Sequence, residues 1–185
     1  LWVNLVTDSL LVIPLGLEPG RKASMKERPR SLKSPILSKS MVSRLIIVAV
    51  VMAIVALGSY IVYSSMYDHA YGRTIAFNAL VVMQWASAFA ARSDYRPSFS
   101  RLKVVNIPFY IGLFIAVSLQ LLALFGPLGD LLHVSPVALN DLIITSVFAF
   151  VTLFAVAETH KFIGRRFFGK GEHRLVANMK PDMVQ

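Results

Sequence analysis

Apolar residues along this chain gather into five long runs, and polar residues crowd into the gaps between them. The runs cover about residues 1–17, 45–66, 74–91, 107–125 and 138–158. A helix needs roughly 20 apolar residues to cross the hydrocarbon layer of a bilayer. The pattern therefore predicts an all-α protein, a polytopic membrane bundle of five transmembrane helices. The second run carries no charge, and the third contains Asn78, Gln84 and Ser87. The fourth is interrupted only by Ser118 and Gln120. The fifth opens at Asn140 and Asp141 and ends at Glu158. Pro14 lies inside the first run; it removes a backbone donor and is expected to kink or break that helix. Such breaks survive in membranes where neighbouring helices or a cavity satisfy the freed groups. Residues 20–40, rich in Pro, Lys, Arg and Ser, read as an exposed connector, and residues 159–185 as a basic tail. No internal repeat or low-complexity segment is present.

Composition narrows the class. The 185 residues are 56% hydrophobic, with mean hydropathy +0.62. That is too apolar for a soluble domain of this size. Cysteine is absent, which excludes disulfides and thiolate metal sites. A net charge of +9 raises nucleic acid as a partner, but the basic residues sit between apolar segments, which is membrane topology instead. Every Lys and Arg except Arg73 falls within 21–44, within 92–103 or after the fifth run. By the positive-inside rule these regions face the cytoplasm. Leu1 would then start on the outer or lumenal side, and the C-terminus would be cytoplasmic. Leu1 already stands inside an apolar run, with no charged segment or cleavage site before it. The start reads as a cut through a membrane helix of a longer protein. Tyr60, Tyr63, Tyr67, Phe167 and Phe168 flank the spans and read equally as interfacial anchors or as lipid-facing packing.

The chemistry concentrates in the first run. Asn4, Thr7 and Asp8 are three and four residues apart, so one helical face can present an amide, a hydroxyl and a carboxylate. An ionised side chain at membrane depth costs several kcal/mol or more without a partner. Three oxygen donors on one face suit a hard cation such as Ca²⁺; the alternative is a hydrogen-bond cluster between helices. Gln84 reads as such a bond from its place in the third run, and Asn78 and Ser87 as packing contacts. Asn140 and Asp141 are expected to cap the last helix, and Glu158 to snorkel or pair locally near His160 and Lys161 rather than pass ions. His69, His133, His160 and His173 show no metal-ligand spacing. No phosphate-binding glycine loop and no nucleophile–base constellation occurs.

Several stretches resemble one family. LWVNLVTDSLLVIPLGLEP (1–19) is similar to the sixth membrane helix of P-type cation-transporting ATPases of the calcium-pump type. KERPRSLKSPIL (26–37) is similar to the cytoplasmic loop that follows it, and GRTIAFNALVVMQWASAFAARS (72–93) to the eighth helix. AETHKFIGRR (157–166) resembles the end of the tenth helix. The resemblance implies the sixth to tenth helices of a ten-helix membrane domain, in an ATP-driven translocase that forms an aspartyl phosphate. It places cation ligands at Asn4, Thr7, Asp8 and Gln84, and Ca²⁺ as the transported ion. It assigns the nucleotide and Mg²⁺ sites to cytoplasmic domains, and further ligands to membrane helices, that precede this segment. The phosphorylation sequence Asp-Lys-Thr-Gly-Thr does not occur in these residues, so the expected partners are the rest of the same polypeptide and the lipid bilayer. The expected location is the plasma membrane.

Two departures bear on the ion. Gln84 stands where two-site calcium pumps carry glutamate, and Gln84-Trp85-Ala86 is also similar to the eighth helix of sodium/potassium pumps. Ser9-Leu10-Leu11 replaces the usual Gly-Leu-Pro, with the proline moved to Pro14. A pump for Na⁺, K⁺ or H⁺ is the alternative within the class. A freestanding transporter or accessory subunit without ATPase activity is the alternative outside it.

Overall fold

The computed structural model describes residues 2, 9–17, 39–92 and 106–167, with the side chains of 39, 40 and 164–167 set aside. Six helices follow one another: α1 (Ser9–Gly16), α2 (Lys39–Met66), α3 (His69–Ala91), α4 (Ile107–Phe125), α5 (Leu128–Leu132) and α6 (Leu139–Phe167). Four stretches are long and apolar enough to span a membrane: Met41–Met66, His69–Ala91, Ile107–Phe125 and Leu139–Ile163. They match the second to fifth predicted runs. Of the first run, α1 and Trp2 are described, whereas Asn4, Thr7 and Asp8 lie outside the described residues.

The helices outlast the apolar runs. Three of the spans begin or end several residues beyond the expected limits, because backbone hydrogen bonding continues into polar flanks that an apolar criterion does not register. Asp68 shows how one such start is fixed: its side chain accepts the Tyr71 N–H at 2.6 Å and caps α3.

The core lies between α2, α3 and α6. Val55 and Ala56 of α2 meet Ala79, Val82, Met83 and Ala86 of α3, and Ala149 and Leu153 of α6. Small residues at these contacts let the backbones approach, which is how helices associate where lipid removes the hydrophobic drive. Gly72 does the same near the α2–α3 turn, where an added Cβ would lie 2.9 Å from Ser64 N and from Tyr60 O. Half of the α3 span is buried, against 11% for α2, so α3 is the central strut. Ile54, Ile61, Phe114 and Ile144 are more than three-fifths exposed, as side chains facing hydrocarbon or further helices would be.

Asn140 and Asp141 do not cap α6, which already begins at Leu139. Asp141 instead sits in the first turn, where its charge suits the helix dipole, and accepts the Tyr71 hydroxyl at 2.6 Å. The same hydroxyl accepts the Ala138 N–H at 3.0 Å, so a side chain from α3 does the work assigned to the cap. Tyr63, Tyr67 and Tyr71 stack beside it, with Tyr67 and Tyr71 4.2 Å apart. The negative charge of Asp141 holds the exposed Tyr67 hydroxyl above the usual phenol range. Tyr71→Phe removes both bonds of this latch. The expected loss is about 1.5–3 kcal/mol, the usual worth of a hydrogen bond to a charged group, read as a lowered thermal midpoint in detergent.

At the other end of the bundle, Ser43 Oγ and His160 Nε2 are 2.9 Å apart and join α2 to α6. Lys161 Nζ meets Glu158 Oε1 at 2.7 Å, with the Lys161 side chain 1% exposed. Glu158 therefore pairs locally, as expected.

Candidate functional site

The candidate ligands Asn4, Thr7 and Asp8 run directly into α1, and what holds α1 can be described. Leu11 and Pro14 are buried while Val12 and Ile13 are exposed, so this short helix has an inner and an outer side. It packs on α4 and more lightly on α3. Pro14 has no N–H, so the Leu10 carbonyl receives no donor from it. Gly112 of α4 meets that freed carbonyl: a Cβ there would overlap the Leu10 oxygen and stand 3.2 Å from Pro14 Cγ. Contrary to the expectation from the sequence, the helix does not break at Pro14 but runs on to Gly16, with Gly112 of α4 lying against the freed carbonyl.

Two buried amides bond to the same stretch. Asn106 is 2% exposed; its Oδ1 accepts the Phe109 N–H at 3.1 Å, capping α4. Its Nδ2 donates to the Pro14 carbonyl at 3.1 Å. Gln120, also 2% exposed, accepts the Trp2 Nε1–H at 3.3 Å. Gln120 Nε2 donates to Asn78 Oδ1 at 3.4 Å, and Asn78 Nδ2 donates to Ser146 Oγ at 2.8 Å. A polar thread therefore runs from Trp2 through α4 and α3 to α6. Asn78 is packing glue, as its position suggested.

Gln84 is half-buried in the middle of α3, beside the core residues Met83 and Ala86. It is the one predicted ligand whose place is described. Among the described residues, no three His, Cys, Asp or Glu side chains gather into a cluster. Asp141 and Glu158 bring carboxylates only near the two ends of α6, where each is engaged by Tyr71 or Lys161; Asn78, Gln84, Gln120 and Ser146 are neutral and can complete the shell of a hard cation but bring no charge. Trp85 Nε1 is buried without a hydrogen-bond partner. It borders a groove of about 420 Å³ between α3, α4 and α6 whose other polar linings are Asn78, Gln120 and Ser146.

Sequence reasoning gave no role to Asn106, Gln120 or Gly112. A signal existed for Asn106: an N-cap residue ahead of Pro108 and an apolar run is a helix-start signature. Nothing local marked Gln120 or Gly112, whose roles come from contacts with residues about a hundred positions away.

The family model for "Cation transporting ATPase, C-terminus" matches residues 1–163. The chain belongs to this family: it is the C-terminal transmembrane region of a P-type cation-transporting ATPase. A calcium-transporting ATPase of Bacillus subtilis is 34% identical over 150 residues, covering 76% of this chain and 16% of the relative. Calcium-transporting ATPase 1 of Bacillus cereus is 30% identical over 159 residues, covering 76% of the chain and 18% of the relative. A cation-transporting ATPase of Synechocystis is 30% identical over 103 residues, 55% of the chain and 10% of the relative. The chain thus spans less than a fifth of the length of these ATPases.

Proposed function

We propose that this chain is the distal part of the membrane domain of an ATP-driven calcium pump, supplying cation ligands from the segment before α1 and from α3. Asp8 neutralises part of the cation charge. Asn4, Thr7 and Gln84 add oxygen donors. Ca²⁺ takes about six to eight oxygens, so membrane helices outside this segment complete the shell. ATP and Mg²⁺ bind in cytoplasmic domains outside it as well. The basic loops and tail face the cytoplasm, and the pump works in the plasma membrane, moving Ca²⁺ outward.

The observation that carries this reading is the setting of α1. A stretch with three oxygen-bearing side chains enters a proline-containing helix clasped by α4 and α3 inside a bundle of membrane spans. Two relatives at 30% identity or better bear the name calcium-transporting. A pump for a monovalent cation is the second reading, and the neutral Gln84 favours it.

The deciding experiment is phosphorylation of the full-length pump by ATP, titrated with Ca²⁺, Na⁺, K⁺ and pH. Ca²⁺ alone is expected to switch on phosphoenzyme formation. Gln84→Glu adds a second carboxylate and is expected to tighten the half-maximal Ca²⁺ concentration by about tenfold, because ligand charge tunes such sites. Stimulation by Na⁺ or K⁺ with no response to Ca²⁺ would sink the calcium reading.

A further inference from the structure

The polar grips on the ligand-bearing stretch share one source. Trp2 precedes Asn4, and Pro14 follows Asp8. Trp2 Nε1 is held by Gln120 and the Pro14 carbonyl by Asn106. Between them the Leu10 carbonyl lies against Gly112. Gln120 and Gly112 belong to α4, and Asn106 is its cap.

We propose that α4 is the positioning element of the cation site, with Gln120 and Asn106 as positioning residues that fix the two flanks of residues 4–8. This rests on the reading of Asn4, Thr7 and Asp8 as ligands. A buried amide is costly unless its donors and acceptor are used, and both amides spend theirs on opposite tasks. Asn106 caps its own helix with its oxygen and holds α1 with its nitrogen. Gln120 holds Trp2 with its oxygen, while its nitrogen is tied to Asn78 and through it to Ser146. Each grip is therefore anchored to the bundle and not to a loose side chain. The need is physical. Proline leaves α1 one internal bond short, whereas a binding constellation must be held within about 0.5 Å of its working geometry. External tethers on both sides supply the stiffness that the helix lacks.

The test uses the full-length pump, with Ca²⁺ as the probe and phosphorylation by ATP as the readout. Asn106→Ser keeps a hydroxyl that can cap Phe109 N–H but is too short to reach the Pro14 carbonyl. Trp2→Phe and Gln120→Leu each break the other tether from opposite sides. Each of the three is expected to raise the half-maximal Ca²⁺ concentration about fivefold, the scale of one lost hydrogen bond. Phosphoenzyme at saturating Ca²⁺, per folded protein, should stay at the wild-type level. The Trp2→Phe/Gln120→Leu double variant should be no worse than the weaker single, since one bond is lost only once. A merely structural role would lower the amount of folded pump and leave the half-maximal concentration in place. That result, or additive effects in the double variant, overturns the positioning role. Asp8→Ala runs alongside as the reference. If it removes Ca²⁺ dependence while the α4 variants do nothing, the positioning proposal alone fails. If Asp8→Ala keeps full Ca²⁺ dependence, the ligand reading fails and the positioning proposal falls with it.

Discussion

Asp8→Ala in the full-length pump is expected to abolish Ca²⁺-dependent phosphorylation by ATP. Asp8 is the only carboxylate among the four candidate ligands of this segment. Removing one partner of a buried charge pair leaves the other uncompensated and typically costs about 3–5 kcal/mol, or a factor of roughly a hundred to several thousand in affinity. A divalent cation in a membrane interior sits at the upper end of that range. The loss should also appear in Asp8→Asn, which keeps the shape and one oxygen but not the charge. Phosphoenzyme formation and size-exclusion profiles measured together separate lost binding from lost folding. A normal Ca²⁺ response in well-folded Asp8→Ala would mean that Asp8 is a structural residue.

Gly112→Ala is expected to be the most damaging single-methyl change in the described bundle. The new Cβ meets a backbone carbonyl, that of Leu10, and the ring of Pro14. Neither is the far end of a flexible side chain, so relief requires α1 and α4 to move apart. Overpacking of this kind typically costs about 1–3 kcal/mol, and here the displacement acts on the helix that follows the proposed ligands in sequence. The outcome should be a combined fall in detergent stability and in Ca²⁺ affinity of tenfold or more. Gly58→Ala is the matched control, because an added Cβ there meets nothing within 4 Å. Equal behaviour of the two variants would remove the tight α1–α4 crossing from the account.

What could be read from the chain and what could not divides along physical lines. The spans containing Val50, Val82, Phe114 and Val151 were visible because a bilayer imposes length and apolarity on each helix separately. The pairing of Glu158 with Lys161 was visible because residues three apart share a face. Asp141 was misassigned: capping is judged from local sequence, and its partner Tyr71 stands 70 positions away. Gln120 looked like an interruption of an apolar run, yet it links Trp2 to Asn78. The short α5 was also unforeseen; it ends at His133 in the left-handed region, φ 53°, a conformation that glycine signals more plainly than histidine does. Of the candidate ligands, Asn4, Thr7 and Asp8 came from polar spacing and Gln84 from family resemblance, and only Gln84 lies among the described residues.

Helix α4 is also the shortest of the four spans, with 19 residues against 28 in α2, 23 in α3 and 29 in α6. At a rise of about 1.5 Å per residue it reaches only about 28 Å, no more than the hydrocarbon thickness itself. Longer helices absorb a thicker bilayer by changing tilt, whereas a helix with no surplus must thin the lipid around it or shift along the membrane normal. Hydrophobic mismatch therefore falls first on the helix that grips α1, and acyl-chain length becomes a variable of the α1–α4 contact.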